Sequence, residues 1–238
     1  PIIDLNKGKA MLKGVEALVR WNHRLEGMLS PQSFLPLAEE SGAIIQIGHW
    51  VMRESCKHLK DWLNQGMRLF LSINLSKREL LQADIVDRIH KELVTNEILP
   101  DYLKIDIPEG FNTFNPDVMD RVVEDFGRRG IHIALDDFGV GYSSLSRINV
   151  DHTRILKIDR SIVSRCHEDR QCQTVAVAAI SLANSLNLWS LAEGVENVNQ
   201  ARFLLKSGCS MAQGYYFSEP LSAAGVAELY RSKKVWKL

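Results

Sequence analysis

Residues 131–137 read "IHIALDD", an apolar, partly β-branched run closed by two acids. Just upstream, residues 116–129 carry a helical pattern that Gly130 stops, so the stretch predicts helix, turn, strand and then a polar strand end. The same order recurs along the chain. Short apolar segments at 1–5, 13–19, 69–75 ("LFLSINL"), 102–107, 131–136, 154–158, 188–192 and 211–215 predict strands. Helical patterns separate most of them, at 30–42 (Ser30 as cap, Pro31 in the first turn, Gly42 as stop), 44–65 (ended by Gly66), 80–95, 116–129, 170–186, 197–207 and 222–234. Alternating strands and helices predict an α/β chain. Eight strands is the number that closes a TIM-like (β/α)8 barrel.

Bulk properties narrow the function. The 238 residues are 45% hydrophobic, enough for a large core, and Lys plus Arg (29) balances Asp plus Glu (29). No basic field is available for long nucleic acid or an anionic membrane, so phosphate recognition has to be local. No apolar run reaches the roughly 18 residues of a membrane span. Cys56, Cys166, Cys172 and Cys209 form no C-x-x-C pair or zinc-type spacing, and the expectation is reduced thiols in the cytoplasm. Without a linker or repeat, one domain over 1–238 is the economical division. The opening Pro1-Ile2-Ile3-Asp4 reads as the middle of a strand, so the expectation is a domain from a longer protein, itself open to membrane anchoring elsewhere.

In such a barrel the active site is built where the strands end. Glu16, Asn74, Asp106, the pair Asp136-Asp137, Lys157 with Asp159, Glu193 with Glu196, and Gln213 fall late in or just after seven successive strand candidates. One acid at a strand end is ordinary turn chemistry. Seven coincident ends predict a site. Carboxylates with one amide oxygen suit Mg²⁺ or Mn²⁺, and adjacent aspartates can each face a different ion or bridge both. Two such ions would clamp a phosphodiester, with Lys157 at the phosphate or water and a nearby Glu taking the water's proton. The seven histidines show no metal-ligand spacing; His132 shares strand parity with Asp136 and is expected to pack and hydrogen-bond.

These residues resemble the EAL-domain cyclic di-GMP phosphodiesterases. The resemblance is carried by "GVEALVRW" (14–21), "SINLS" (72–76), "ALDDFGVGYSSL" (134–145), "LKID" (156–159), "LAEGVE" (191–196) and "QGYYFSEPL" (213–221), in that order. It implies the EAL variant of the TIM-like barrel, often a homodimer, hydrolysing cyclic di-GMP to linear pGpG with two Mg²⁺ or Mn²⁺ ions. It implies Glu16, Asn74, Asp106, Asp136 and Asp137 as metal ligands, Lys157 facing water or phosphate, and Glu193 as general base. Glu196 and Asp159 would support metal and lysine, Glu109 would hold the DDFG loop, Arg20 would contact a phosphate, and Gln213 would lie near the site floor or a guanine.

The chain departs from the family pattern at the fourth strand. Asp106-Ile107-Pro108-Glu109 stands where E-I-T-E is usual, and Val140 replaces a usual Thr. Those changes motivate a second reading, a receptor or protein-interaction module with little turnover. A Schiff-base role for Lys157 is a third, weakened by the surplus of carboxylates. "LKID" occurs twice, at 103–106 and 156–159; Lys157 is the functional lysine of the second copy and Asp106 the functional acid of the first, with no chemistry assigned to Lys104.

Overall fold

A computed structural model describes residues 1–5, 10–108, 116–139 and 151–238. Its strands are β1 (Ile2–Asp4), β2 (Met11–Ala17), β3 (Trp21–His23), β4 (Gly27–Leu29), β5 (Phe70–Asn74), β6 (Leu103–Pro108), β7 (His132–Phe138), β8 (Thr153–Ile158), β9 (Trp189–Ala192) and β10 (Met211–Ala212). Eight of them close a barrel in the order β1-β10-β9-β8-β7-β6-β5-β2. These are the eight strands read from the sequence. The expected TIM-like fold is present, with one strand reversed: β1 runs antiparallel to both β2 and β10, while the other neighbours pair in parallel.

Two smaller differences have local causes. Residues 21–29 form an added hairpin, β3 with β4, whose three-residue strands are too short for periodicity to reveal. Ser30 occupies the N-cap of helix Pro31–Ser41, but its hydroxyl faces Ser33 Oγ at 3.3 Å and bonds no backbone N–H. The stop is as expected, since Gly42 takes φ 80°, a left-handed conformation that costs glycine little.

Packing fixes the barrel from both sides. Helix Ile44–Asn64 buries Met52, Cys56 and Leu59 on one stripe, joining Leu69, Leu71, Ile73, Leu103 and Ile105 in a core between helices and strands. Trp62 belongs to it and donates its indole N–H to the Ala223 carbonyl at 3.2 Å. A separate cluster, Ile2, Phe70, Ala134, Ile155, Leu191 and Met211, contains residues of six barrel strands. It fits the parity of inward-facing positions and divides the two mouths of the barrel. All four cysteines are buried free thiols, in line with the sequence reading. No helix among the described residues is long and apolar enough to cross a membrane.

Register separates the two LKID copies. Asp106 is level with Ala134 of β7, and Ala134 with Ile155 of β8, so the second copy lies further toward the C-terminal mouth. Lys104 is opposite His132, the first residue of β7, and its ammonium donates to the Asp101 backbone carbonyl at 2.8 Å. One tetrapeptide thus serves both ends of the barrel.

Candidate active site

The C-terminal mouth is organised around Lys157. Its ammonium is 2.7 Å from Glu193 Oε1, 2.8 Å from Asp106 Oδ2, 3.0 Å from Asp136 Oδ2 and 3.7 Å from Glu16 Oε1. The acids come from β2, β6, β7 and the residue after β9, and the lysine comes from β8. Only closure of the barrel brings them together.

Amides and a hydroxyl orient the acids. Asn74 Nδ2 donates to Glu16 Oε1 at 2.7 Å, and Gln213 Nε2 donates to Glu16 Oε2 at 2.5 Å and to Glu193 Oε1 at 3.2 Å. Asp106 is almost wholly buried and has both oxygens engaged, one by Lys157 and the other by the Ser72 hydroxyl. Ser72 was not among the residues singled out from the sequence. Its signal was available: it precedes Asn74 by two positions on β5, which sends both to the same face.

Asp136 and Asp137 sit at an irregularity in the β7–β8 register, between Leu135 and Phe138. Asp137 has φ 59°, and its N–H donates to Asp136 Oδ1 at 2.9 Å. Such a bulge breaks the alternation that would send consecutive side chains to opposite faces. Left-handed backbone outside glycine is uncommon and collects at functional sites.

The charges are unequal, four carboxylates to one ammonium. At an effective dielectric of ~20 a contact near 2.8 Å is worth about 6 kcal/mol of attraction. Several such contacts outweigh the burial that would otherwise favour neutral lysine, so Lys157 is held protonated, its pKa well above the ordinary value. The acids divide. Burial pushes Glu193 up to about 8, Lys157 opposing it while Asp136 and Glu16 add repulsion. Burial likewise raises Asp106 to about 6 against the pull of Lys157, with Glu16 and Asp136 adding to the rise. Glu16 is also buried, but Lys157 and the Asn74 and Gln213 amides bring it below its ordinary value.

The other residues expected here are arranged differently. Asp159 caps the short helix Arg160–Val163 by accepting from Ser161 N at 2.8 Å, and Glu196 pairs with Arg160 at 2.7 Å. Arg20 is half-buried and donates to the Val19 carbonyl at 2.9 Å. Glu109 and Val140 lie outside the described residues. Among the described residues no group of three or more His, Cys, Asp or Glu side chains stands at metal-ligand spacing; the acids close on the lysine ammonium instead.

Comparison with known proteins places the chain in a family. The EAL domain model matches residues 1–220. The bifunctional diguanylate cyclase/cyclic di-GMP phosphodiesterase MucR of Pseudomonas aeruginosa is 36% identical over 211 residues, covering 88% of this chain and 31% of MucR. Cyclic di-GMP phosphodiesterase NbdA of the same organism is 34% identical over 233 residues, covering 98% of this chain and 30% of NbdA. This chain therefore spans about a third of the length of these relatives. The solved PaMucR phosphodiesterase, a c-di-GMP complex, superposes with a TM-score of 0.87 at 33% identity, covering 95% of this chain and 93% of that one. A matching family model, relatives above 30% identity and a shared barrel lead to one conclusion: the chain belongs to the EAL-domain family.

Proposed function

We propose that residues 1–238 form a single metal-dependent phosphodiesterase domain that hydrolyses cyclic di-GMP to linear pGpG. The carrying observation is the convergence of Glu16, Asp106, Asp136 and Glu193 on Lys157 at the C-terminal mouth. MucR and NbdA, named for this substrate, and the PaMucR c-di-GMP complex support it.

The residues fit divalent metal in chemistry and in charge. Glu16, Asn74, Asp106, Asp136 and Asp137 offer carboxylate and amide oxygens, the donors Mg²⁺ and Mn²⁺ prefer. The surplus of four acids over one ammonium, visible in the raised Asp106 and Glu193, is what added cations would neutralise. Two bound ions would supply Lewis acidity at the phosphate and favour ionisation of a water.

The protein groups do the rest. Glu193, ionised when added cations offset the burial and the repulsion from Asp136 and Glu16 that raise it, accepts the water's proton. Lys157 keeps a fixed positive charge beside the reacting phosphate. Gln213 holds Glu16 and Glu193 in mutual register, and Ser72 holds Asp106. Arg20 contacts a second phosphate; Asp159 and Glu196 act indirectly, through the Arg160–Val163 helix. A homodimer in the cytoplasm completes the proposal, and light scattering tests the assembly.

One observation favours the receptor reading. Both Asp106 oxygens are already engaged, and the acid is one methylene shorter than the family's glutamate, so its share in holding metal is the weakest. Incubation with cyclic di-GMP and Mn²⁺ separates the two readings. Accumulating pGpG supports the enzyme, and saturable binding without pGpG supports the receptor.

A further inference from the structure

The opposite mouth of the barrel is built with the reverse charge. A cavity of about 500 Å³ is lined by Lys13, Arg68, Lys104 and Arg154, with His132 and Trp189 beside them. It lies at the strand starts: Phe70, His132 and Trp189 are the first residues of β5, β7 and β9. The apolar layer of Ile2, Phe70, Ala134, Ile155, Leu191 and Met211 separates it from the carboxylate site. Its volume falls within the range of small-molecule sites.

Its cations outnumber its acids. Among the described residues, none of Lys13, Arg68, Lys104 and Arg154 has a carboxylate within ion-pair distance. The lining contains one acid, Asp101, whose carboxylate is 2.9 Å from His132 Nε2. Lys104 is only 3% exposed, yet among the described residues its ammonium bonds just the Asp101 backbone carbonyl. Buried charges are ordinarily paired.

The aromatic ring in the cavity is already used. Lys13 lies 5.7 Å and Arg154 4.9 Å from the Trp189 ring centroid. Those cation–π contacts hold the two charges over the cavity and leave the ring little face for stacking a base. Arg68 is steadied by the Tyr102 hydroxyl at 3.0 Å. The arrangement selects compact negative charge over a flat heterocycle.

We propose that the N-terminal mouth is a second ligand site, for a small phosphorylated anion held by Lys13, Arg68, Lys104 and Arg154. The site is independent of the catalytic reading above. Calorimetric titration of the chain in EDTA at pH 7 with inorganic pyrophosphate tests it, with succinate as a carboxylate probe of similar size. The expected result is saturable pyrophosphate binding with succinate weaker, and a loss of about tenfold or more in each of Lys104→Gln and Arg154→Gln, since each removes a charge-assisted hydrogen bond. Arg20→Ala, at the other mouth, leaves pyrophosphate affinity unchanged. Should Lys104→Gln fail to fold, the exposed Arg154→Gln carries the same test. Absence of saturable binding up to about 10 mM overturns the proposal. Affinity unchanged by the folded variants, affinity lost in Arg20→Ala, or succinate binding as tightly as pyrophosphate overturns it equally.

Discussion

Lys157→Met removes the charge at the centre of the carboxylate cluster while keeping a side chain of similar length. Three acids lie within 3.0 Å of the ammonium and a fourth at 3.7 Å, so the substitution strands more negative charge than breaking a single ion pair would. Removing one partner of a buried pair costs about 3–5 kcal/mol, and the upper part of that range is expected in metal-free buffer at pH 8. Asp106 and Glu193, already raised above their unfolded values by burial, then lose the ammonium that opposed the rise. The folded state therefore holds more protons than the unfolded one, and its stability falls as pH rises. Wild type follows the same sign more weakly, losing stability as pH climbs from about 4 through the Asp106 and Glu193 values of about 6 and about 8. The deficit in Lys157→Met should accordingly shrink as pH falls toward about 4, where the stranded acids are protonated in the folded state and half protonated in the unfolded one. Urea denaturation in EDTA at several pH values measures it. A deficit below about 1 kcal/mol at pH 8, or one that does not depend on pH, would refute the reasoning.

Other expectations are more local. Glu16→Ala and Asp136→Asn should each abolish cyclic di-GMP hydrolysis with the circular dichroism spectrum unchanged; full activity in either removes it from the site. Asp106→Glu should raise the affinity for Mn²⁺ or the turnover, whereas a fall in both means that Ser72 and the backbone are fitted to the shorter acid. Lys104 is a base whose folded-state pKa is lowered to about 8, so wild-type stability should rise as pH passes from about 8 toward about 10, by up to about 3 kcal/mol. Lys104→Met should lack that rise in paired urea titrations, and an equal slope in both proteins would sink the assignment.

The barrel was legible because each strand candidate is a short apolar run bounded by turn residues, and because polar groups repeat at one end. The direction of β1 was not, since a three-residue apolar segment pairs equally well either way and only the closed sheet selects one. Strand-end position identified Glu16, Asn74, Asp106, Asp136, Lys157, Glu193 and Gln213, which the structure brings together. Asp159 and Glu196, which follow β8 and β9, take partners outside the cluster. Beyond the last strand residue parity no longer dictates direction, and helix capping and Arg160 take those side chains. Ser72 went unremarked because a serine in a buried strand carries no charge pattern, although its partner is the least exposed acid of the cluster. Lys104 and Lys157 share one tetrapeptide but serve opposite mouths, a distinction set by barrel register and invisible in local sequence.

The cluster around Lys157 is proposed to hydrolyse cyclic di-GMP with divalent metal. The most direct test follows cyclic di-GMP and pGpG by chromatography, with the chain first treated with EDTA and then given Mn²⁺. The expected result is no conversion before the metal is added, stoichiometric pGpG after it, and none in Glu16→Ala under either condition. Cyclic di-GMP that stays intact with Mn²⁺ present, or conversion that persists in EDTA, would contradict it.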